Sequence, residues 1–107
     1  MNVKVVRHST ALSDIEELTS YIAQDNPDAA INLLEAIERT LSLLGQMPQI
    51  GSPGEFWSSR LKDVRRLPVT GFERYLIFYK TNSNSIEILR VFHGRREIEN
   101  LLQDELD

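Results

Sequence analysis

The run Arg74-Tyr75-Leu76-Ile77-Phe78-Tyr79-Lys80 limits what this chain can become more than any other stretch. Its side chains are aromatic or branched, no Gly or Pro interrupts it, and a basic residue stands at each end, which predicts a β-strand. A second strand-like run, Ile86 to Phe92, follows the polar linker Thr81-Asn82-Ser83-Asn84-Ser85. The pair reads as a β-hairpin with a longer loop. The segments before it must supply the helices that cover this sheet, and the segment after it is a short amphipathic tail.

Val3, Val5 and Val6, with Lys4 and Arg7, predict a short first strand. Ser9-Thr10 can cap a helix, and Ser13-x-x-Glu16 is a capping box one turn later. Leu12, Ile15, Leu18 and Ile22 form one helical stripe with Ala11 and Tyr21 beside it. Asp14, Glu16, Glu17 and Asp25 fall mostly off that stripe, and the helix should stop near Gln24. Asn26 suits an N-cap and Pro27 the first position of a second helix. Its stripe is Ala30, Leu33, Leu34, Ile37, Leu41 and Leu44, with Gly45 just past its end and Pro48 beyond. Helices joined this closely pack antiparallel, as an αα-hairpin whose apolar face needs a sheet.

Gln46 to Ser59 is irregular, broken by Gly51, Pro53 and Gly54. Met47, Ile50, Phe56 and Trp57 are expected to pin this loop to the body. Leu61 to Val69 regains strand character, studded with Arg60, Lys62, Arg65 and Arg66, and Pro68 marks an edge or a strand end. After His93-Gly94-Arg95-Arg96, Ile98, Leu101, Leu102 and Leu106 recur at helical spacing. That tail either packs on the sheet or reaches out to a target. The expected fold is α+β, one domain over 1–107 in the order β-α-α-β-β-β-α. Its antiparallel sheet is covered on one face by the αα-hairpin.

No cysteine is present, which excludes disulfides and thiolate metal sites. His8 has no second His nearby, so no metal or other cofactor is expected. The N-terminus lacks the apolar core of a signal peptide, and no apolar run approaches a membrane span. The formal charge of −4 conceals segregation. Residues 1–59 hold 3 Lys/Arg and 8 Asp/Glu, residues 60–96 hold 9 and 3, and residues 97–107 hold 0 and 5, giving −5, +6 and −5. The acidic balance argues against direct nucleic-acid binding by the chain alone. The basic middle either faces an acidic partner or neutralises the two acidic segments within the molecule.

Several phrases, in this order, resemble the RelE/ParE family of small bacterial toxins. They are Ala11…Asp14-Ile15…Ile22, Leu44-Gly45-Gln46-Met47-Pro48-Gln49-Ile50-Gly51, Val64-Arg65-Arg66-Leu67-Pro68-Val69, Tyr75 to Lys80, and Ile88 to Arg96. The "MPQIG" loop and the "FHGRRE" ending resemble the ParE branch. The resemblance implies a toxin of a type II toxin–antitoxin pair in the bacterial cytoplasm, held inactive by a ParD-like antitoxin. ParE-like members with known targets poison DNA gyrase, whereas RelE-like members cut messenger RNA on the ribosome.

A nuclease would need a base, an acid and phosphate stabilisation. The candidates are Arg65, Arg74 and His93, but no tyrosine follows His93 as it would in a RelE-like member. Tyr75 and Tyr79 share a strand face with Ile77 and are expected in the core. The expected partner surface is Arg60, Arg65, Arg66, Arg74, Arg95 and Arg96. Antitoxin contacts are expected at Leu12, Ile15, Leu18, Ile22, Leu33, Ile37 and Leu41, together with part of the basic segment. The antitoxin could lay a helix in the αα-hairpin groove or add a strand to a sheet edge. A third reading is an inert relative that keeps only the antitoxin interface.

Overall fold

The computed structural model describes residues 3–94 and 98–106. They run as β1 (Lys4–Arg7), α1 (Ser9–Ala23), α2 (Pro27–Gln46), β2 (Ser52–Pro53), a 3-10 turn (Ser59–Leu61), β3 (Arg65–Val69), β4 (Phe72–Thr81), β5 (Ser85–His93) and α3 (Ile98–Leu106). The strands lie in the order β1-β5-β4-β3-β2. β3, β4 and β5 form the expected antiparallel meander. β1 adds parallel to β5, with Val5 opposite Ile86, so the whole sheet is mixed. β2 pairs Ser52 with Arg66 inside the segment read as irregular. Pro53 cannot donate to a further strand, which suits this outermost position.

Asn26 caps α2 as expected, its side chain accepting the Ala29 N–H at 3.1 Å, with Pro27 in the first turn. α1 starts differently. Extended His8 is its N-cap, and no side chain caps it, so the Ser13-x-x-Glu16 box lies within the helix and is unused. Gly45 falls inside the last turn of α2, where its carbonyl accepts the Val3 N–H at 3.0 Å. That bond ties the helix end to the entry of β1.

The sheet is covered on both faces. Ala11, Ile15, Leu33, Ile37, Leu41 and Leu44 from the helical hairpin pack on Ile77, Tyr79, Ile86, Ile88 and Val91. On the other face Leu102 of α3 packs with Leu61, Val64, Phe78, Leu89 and Phe92, and Phe56, Ile98 and Leu101 lie against them. Each such buried side chain contributes ~1.5–3 kcal/mol. β4 serves both cores through simple alternation. β5 needs a bulge: pairing passes from Tyr79 with Ile88 to Phe78 with Arg90, leaving Leu89 as the extra residue. Without it Val91 and Phe92 would exchange faces.

β1 pairs only with Ser85 to Ile88 of β5, and beyond that point α1 lines the strand edge. Thr10 donates to the Leu89 carbonyl at 3.4 Å, and Asp14, one helical turn on, accepts the Val91 N–H at 3.0 Å. Arg90 Nε and Nη2 donate to the same carboxylate at 2.7 and 2.8 Å. Asp14 is only 5% exposed, so it is not the solvent-facing acid its place off the stripe suggested. The Arg90 guanidinium also lies 4.6 Å from the Phe92 ring centroid; its bonds to Asp14 raise its pKa, and the charge of Glu105 on α3 adds to that of Asp14 in the same direction.

α3 is tied down at both ends. Glu99 accepts the Trp57 and Ser58 N–H groups at 3.0 and 3.1 Å. Glu105 meets His8 Nδ1 at 2.7 Å and also takes the Thr10 hydroxyl, while His8 Nε2 meets Glu87 at 3.0 Å. Donation from both ring nitrogens requires the imidazolium. Partial burial alone would lower the His8 pKa, but the bonds and charges of Glu105 and Glu87 outweigh it and raise the pKa above 6.5. His8 and Asn82 in turn hold Glu87 below the usual carboxylate value.

Asp14→Ala leaves a partly buried guanidinium and a buried strand N–H without their carboxylate. A urea titration is expected to show a loss of about 3–5 kcal/mol. Glu16→Ala, exposed on the same helix, is expected to change stability by less than ~0.5 kcal/mol. Similar small losses in both would show that the pair is dispensable.

Because the folded His8 pKa is raised, its bridge contributes fully below 6.5 and is lost as pH rises through the folded value. The stability advantage of the native chain over His8→Gln should therefore shrink as pH rises above 6.5. Glu87 has the opposite sign: its contribution is lost as pH falls through its lowered pKa. A difference that stays constant from neutral to alkaline pH would show that His8 bridges as the neutral ring.

Candidate partner-binding surfaces

The nuclease candidates lie at opposite ends of the sheet. Arg65 stands opposite Tyr79 and donates to the Gly51 carbonyl at 2.7 Å. Tyr79 donates to the Pro48 carbonyl at 3.1 Å and accepts the Gly51 N–H at 2.8 Å. Burial raises the Tyr79 pKa, against the Gly51 bond and the charge of Arg65. Both residues thus hold the loop that follows α2. His93 pairs with Tyr75 at the far end of β4, the two rings edge-on at 5.2 Å. Arg74 and His93 line a shallow cleft of about 240 Å³ with Glu73, Leu76 and Gly94. Five residues of strand separate Tyr79 from Arg74, ~17 Å at the usual rise. Arg65 therefore cannot join Arg74 and His93 at one phosphate. α3 also fills the middle of the sheet face opposite the helical hairpin, where the core holds Phe78, Leu89 and Phe92.

The expected cationic surface divides by face. Arg66 is the ladder partner of buried Phe78, so it stands on the α3 side. Arg74 belongs to the same side by alternation with Leu76 and Phe78, and both arginines are exposed. Arg60 is exposed on the 3-10 turn whose Leu61 enters the α3-side core. Arg65 takes the hairpin side with Tyr79, and Arg95 and Arg96 lie outside the described residues. Arg65 joins Lys62 and Lys80 in lining a polar cleft of about 380 Å³ with Gln49, Asp63 and Asn82. Sequence reasoning missed this grouping, because three separate segments build it.

The expected antitoxin contacts need a larger correction. Ile15, Leu33, Ile37 and Leu41 are core residues, 0–6% exposed, and Leu18 and Ile22 pack against the same core. The stripe that makes these helices amphipathic is the stripe they turn to the sheet. Leu12 alone of the expected set is well exposed, at 49%. The other exposed apolar side chains of the hairpin are Tyr21, Ile31 and Leu34. Ile31 and Leu34 line an apolar groove of about 320 Å³ between α1 and α2 with Thr19, Ser20, Ala23, Pro27 and Ala30. Ile31 was the available signal: an apolar residue away from the core stripe.

The loop after α2 divides in the same way. Phe56 is an anchor as expected, its ring 6.0 Å from that of Phe78. Trp57 is not, being 98% exposed, and Met47 and Ile50 also face solvent. Adjacent residues of an extended segment point in opposite directions, so only one of the two aromatics could enter the core.

Among the described residues no group of His, Asp and Glu side chains could hold a metal ion, and no helix is long and apolar enough to cross a membrane. Residues 5–98 match the family described as ParE toxin of type II toxin-antitoxin system, parDE. A protein of Sinorhizobium fredii (strain NBRC 101917 / NGR234) named "Putative toxin Y4kP" is 33% identical over 87 residues, which span 81% of this chain and 83% of that one. A solved structure, "Chromosomal ParDE TA system from P. aeruginosa", shares the fold. It aligns with a TM-score of 0.72 at 18% identity, over 85% of this chain and 95% of that one. The family pattern runs from β1 to the start of α3, and the chain belongs to the ParE toxins of type II toxin–antitoxin systems.

Proposed function

We propose that this toxin acts by binding a protein target, DNA gyrase in the bacterial cytoplasm, and not by cutting RNA. The observation that carries this reading is the scatter of the nuclease candidates: Arg65 bonds to a loop carbonyl, and Arg74 and His93 stand at the other end of β4. The observation on the side of a nuclease is that Arg74 and His93 share one cleft, which Arg65 does not join. A ParD-like antitoxin would silence the toxin by laying a helix into the α1–α2 groove, against Ile31 and Leu34. Apolar anchors at helical spacing suit such a groove. The acidic residues beside it, Glu16, Glu17, Asp28 and Glu35, favour a basic antitoxin segment.

Induced expression of the chain alone in a bacterial host tests the reading. Growth arrest with a DNA damage response and intact message is expected. Message cut at ribosome-positioned sites would contradict it. His93→Ala is expected to leave arrest within about twofold of the native chain, whereas a catalytic acid or base contributes typically ~10²–10⁴-fold.

Ile31→Asp is expected to weaken antitoxin binding by ~30-fold, about 2 kcal/mol, as loss of an interface anchor does. Isothermal titration with the antitoxin checks this. Unchanged affinity would move the antitoxin off the helical hairpin.

A further inference from the structure

Trp57, the chain's only tryptophan, is 98% exposed. Indole is among the most costly side chains to leave in water, with about 150–250 Å² of surface available for burial. Yet the backbone beneath it is firmly held. The Trp57 and Ser58 N–H groups both donate to Glu99 of α3, and Gly54 N–H donates to the Val64 carbonyl at 3.0 Å. Phe56 is seated on Phe78, and Gly54 leaves no room for a Cβ beside the Phe56 ring. Glu55 has φ of 58°, a left-handed conformation that costs a non-glycine residue energy. These constraints turn Phe56 inward and hold Trp57 outward in one place.

Exposed cations lie on the indole's side of the sheet. Arg66 and Arg74 are exposed on the same side of the sheet, and exposed Lys62 follows the 3-10 turn. Glu55 is the one acidic residue of the loop itself, Glu99 is engaged by the two amides, and Asp63 and Asp104 are exposed acids of the neighbouring segments. Tryptophan and arginine are both enriched at the energetic centres of protein interfaces. A rigidly presented side chain also loses little entropy on binding. The α1–α2 groove lies on the other side of the sheet, so the two surfaces can be occupied independently.

We propose that Trp57 is the anchor through which the toxin engages its protein target, entering an apolar socket rimmed by carboxylates. The inference rests on the reading that the toxin acts through a protein target, and it names the residue and the chemistry of that contact. Nucleic acid is the disfavoured occupant, because a chain of net charge −4 has little general attraction for phosphate backbones.

The test compares the full-length native chain with Trp57→Ala in three readouts: growth arrest on induction, affinity for the antitoxin, and thermal unfolding. Trp57 emission in the native chain is followed on adding purified DNA gyrase, the antitoxin, or a single-stranded oligonucleotide. Trp57→Ala is expected to reduce arrest at least about tenfold, as loss of a hot-spot anchor does, with antitoxin affinity and unfolding unchanged. Emission should move to the blue with gyrase alone. Arrest by Trp57→Ala equal to that of an active native chain overturns this inference and leaves the target reading standing. A blue shift with the antitoxin and a parallel loss of antitoxin affinity assigns the indole to the antitoxin and also overturns it. A shift with the oligonucleotide makes the face a nucleic-acid surface. A native chain that neither arrests growth nor shifts with gyrase removes both readings together.

Discussion

The Asp14 carboxylate settles how helices and sheet meet. A strand edge that has lost its partner exposes polar backbone, and β5 loses β1 after Ile88. α1 crosses that edge and supplies hydroxyl and carboxylate in place of a strand: Thr10 for the Leu89 carbonyl, Asp14 for the Val91 N–H. Burying the carboxylate is tolerable only because Arg90 of the same strand neutralises it. The pair thus fixes α1 against the bulged part of β5, where the strand alternation is reset. The helical hairpin inherits its position from that contact.

A sheet covered on both faces limits what this small domain can present. The helical hairpin takes one face and α3 the other, and the residues that do the covering are spent on the core. What remains for partners is the outer side of each layer. On the hairpin that is an apolar groove within an acidic helical surface. On the α3 side it is an exposed indole, with Arg66 and Arg74 on the same face of the sheet.

The elements were largely legible from the chain. Asn26-Pro27, the stripes of α1 and α2, and the β4–β5 run each carried a local rule that the structure obeys. What was not legible depends on contacts distant in sequence. The parallel docking of β1 on β5 leaves no local mark in Lys4 to Arg7. An apolar stripe shows that a helix is amphipathic, but it names the core face, so Ile15, Leu33, Ile37 and Leu41 were misread as a partner surface. Asp14 was read as solvent-facing because its partner Arg90 lies 76 residues away. Phe56 and Trp57 looked alike in sequence, and only the left-handed turn at Glu55 decides which enters the core. The cations were countable from the chain, but their division between two faces follows from strand register.

Hydroxyl-radical footprinting of the toxin, free and bound to its antitoxin, tests the two-surface account most directly. In the free toxin Ile31, Leu34 and Trp57 should all be oxidised, since all are exposed. Antitoxin binding should protect Ile31 and Leu34 and leave Trp57 as reactive as before. Protection of Trp57 with no change at Ile31 and Leu34 would contradict the account, placing the antitoxin on the α3 side of the sheet and leaving the helical groove without its partner.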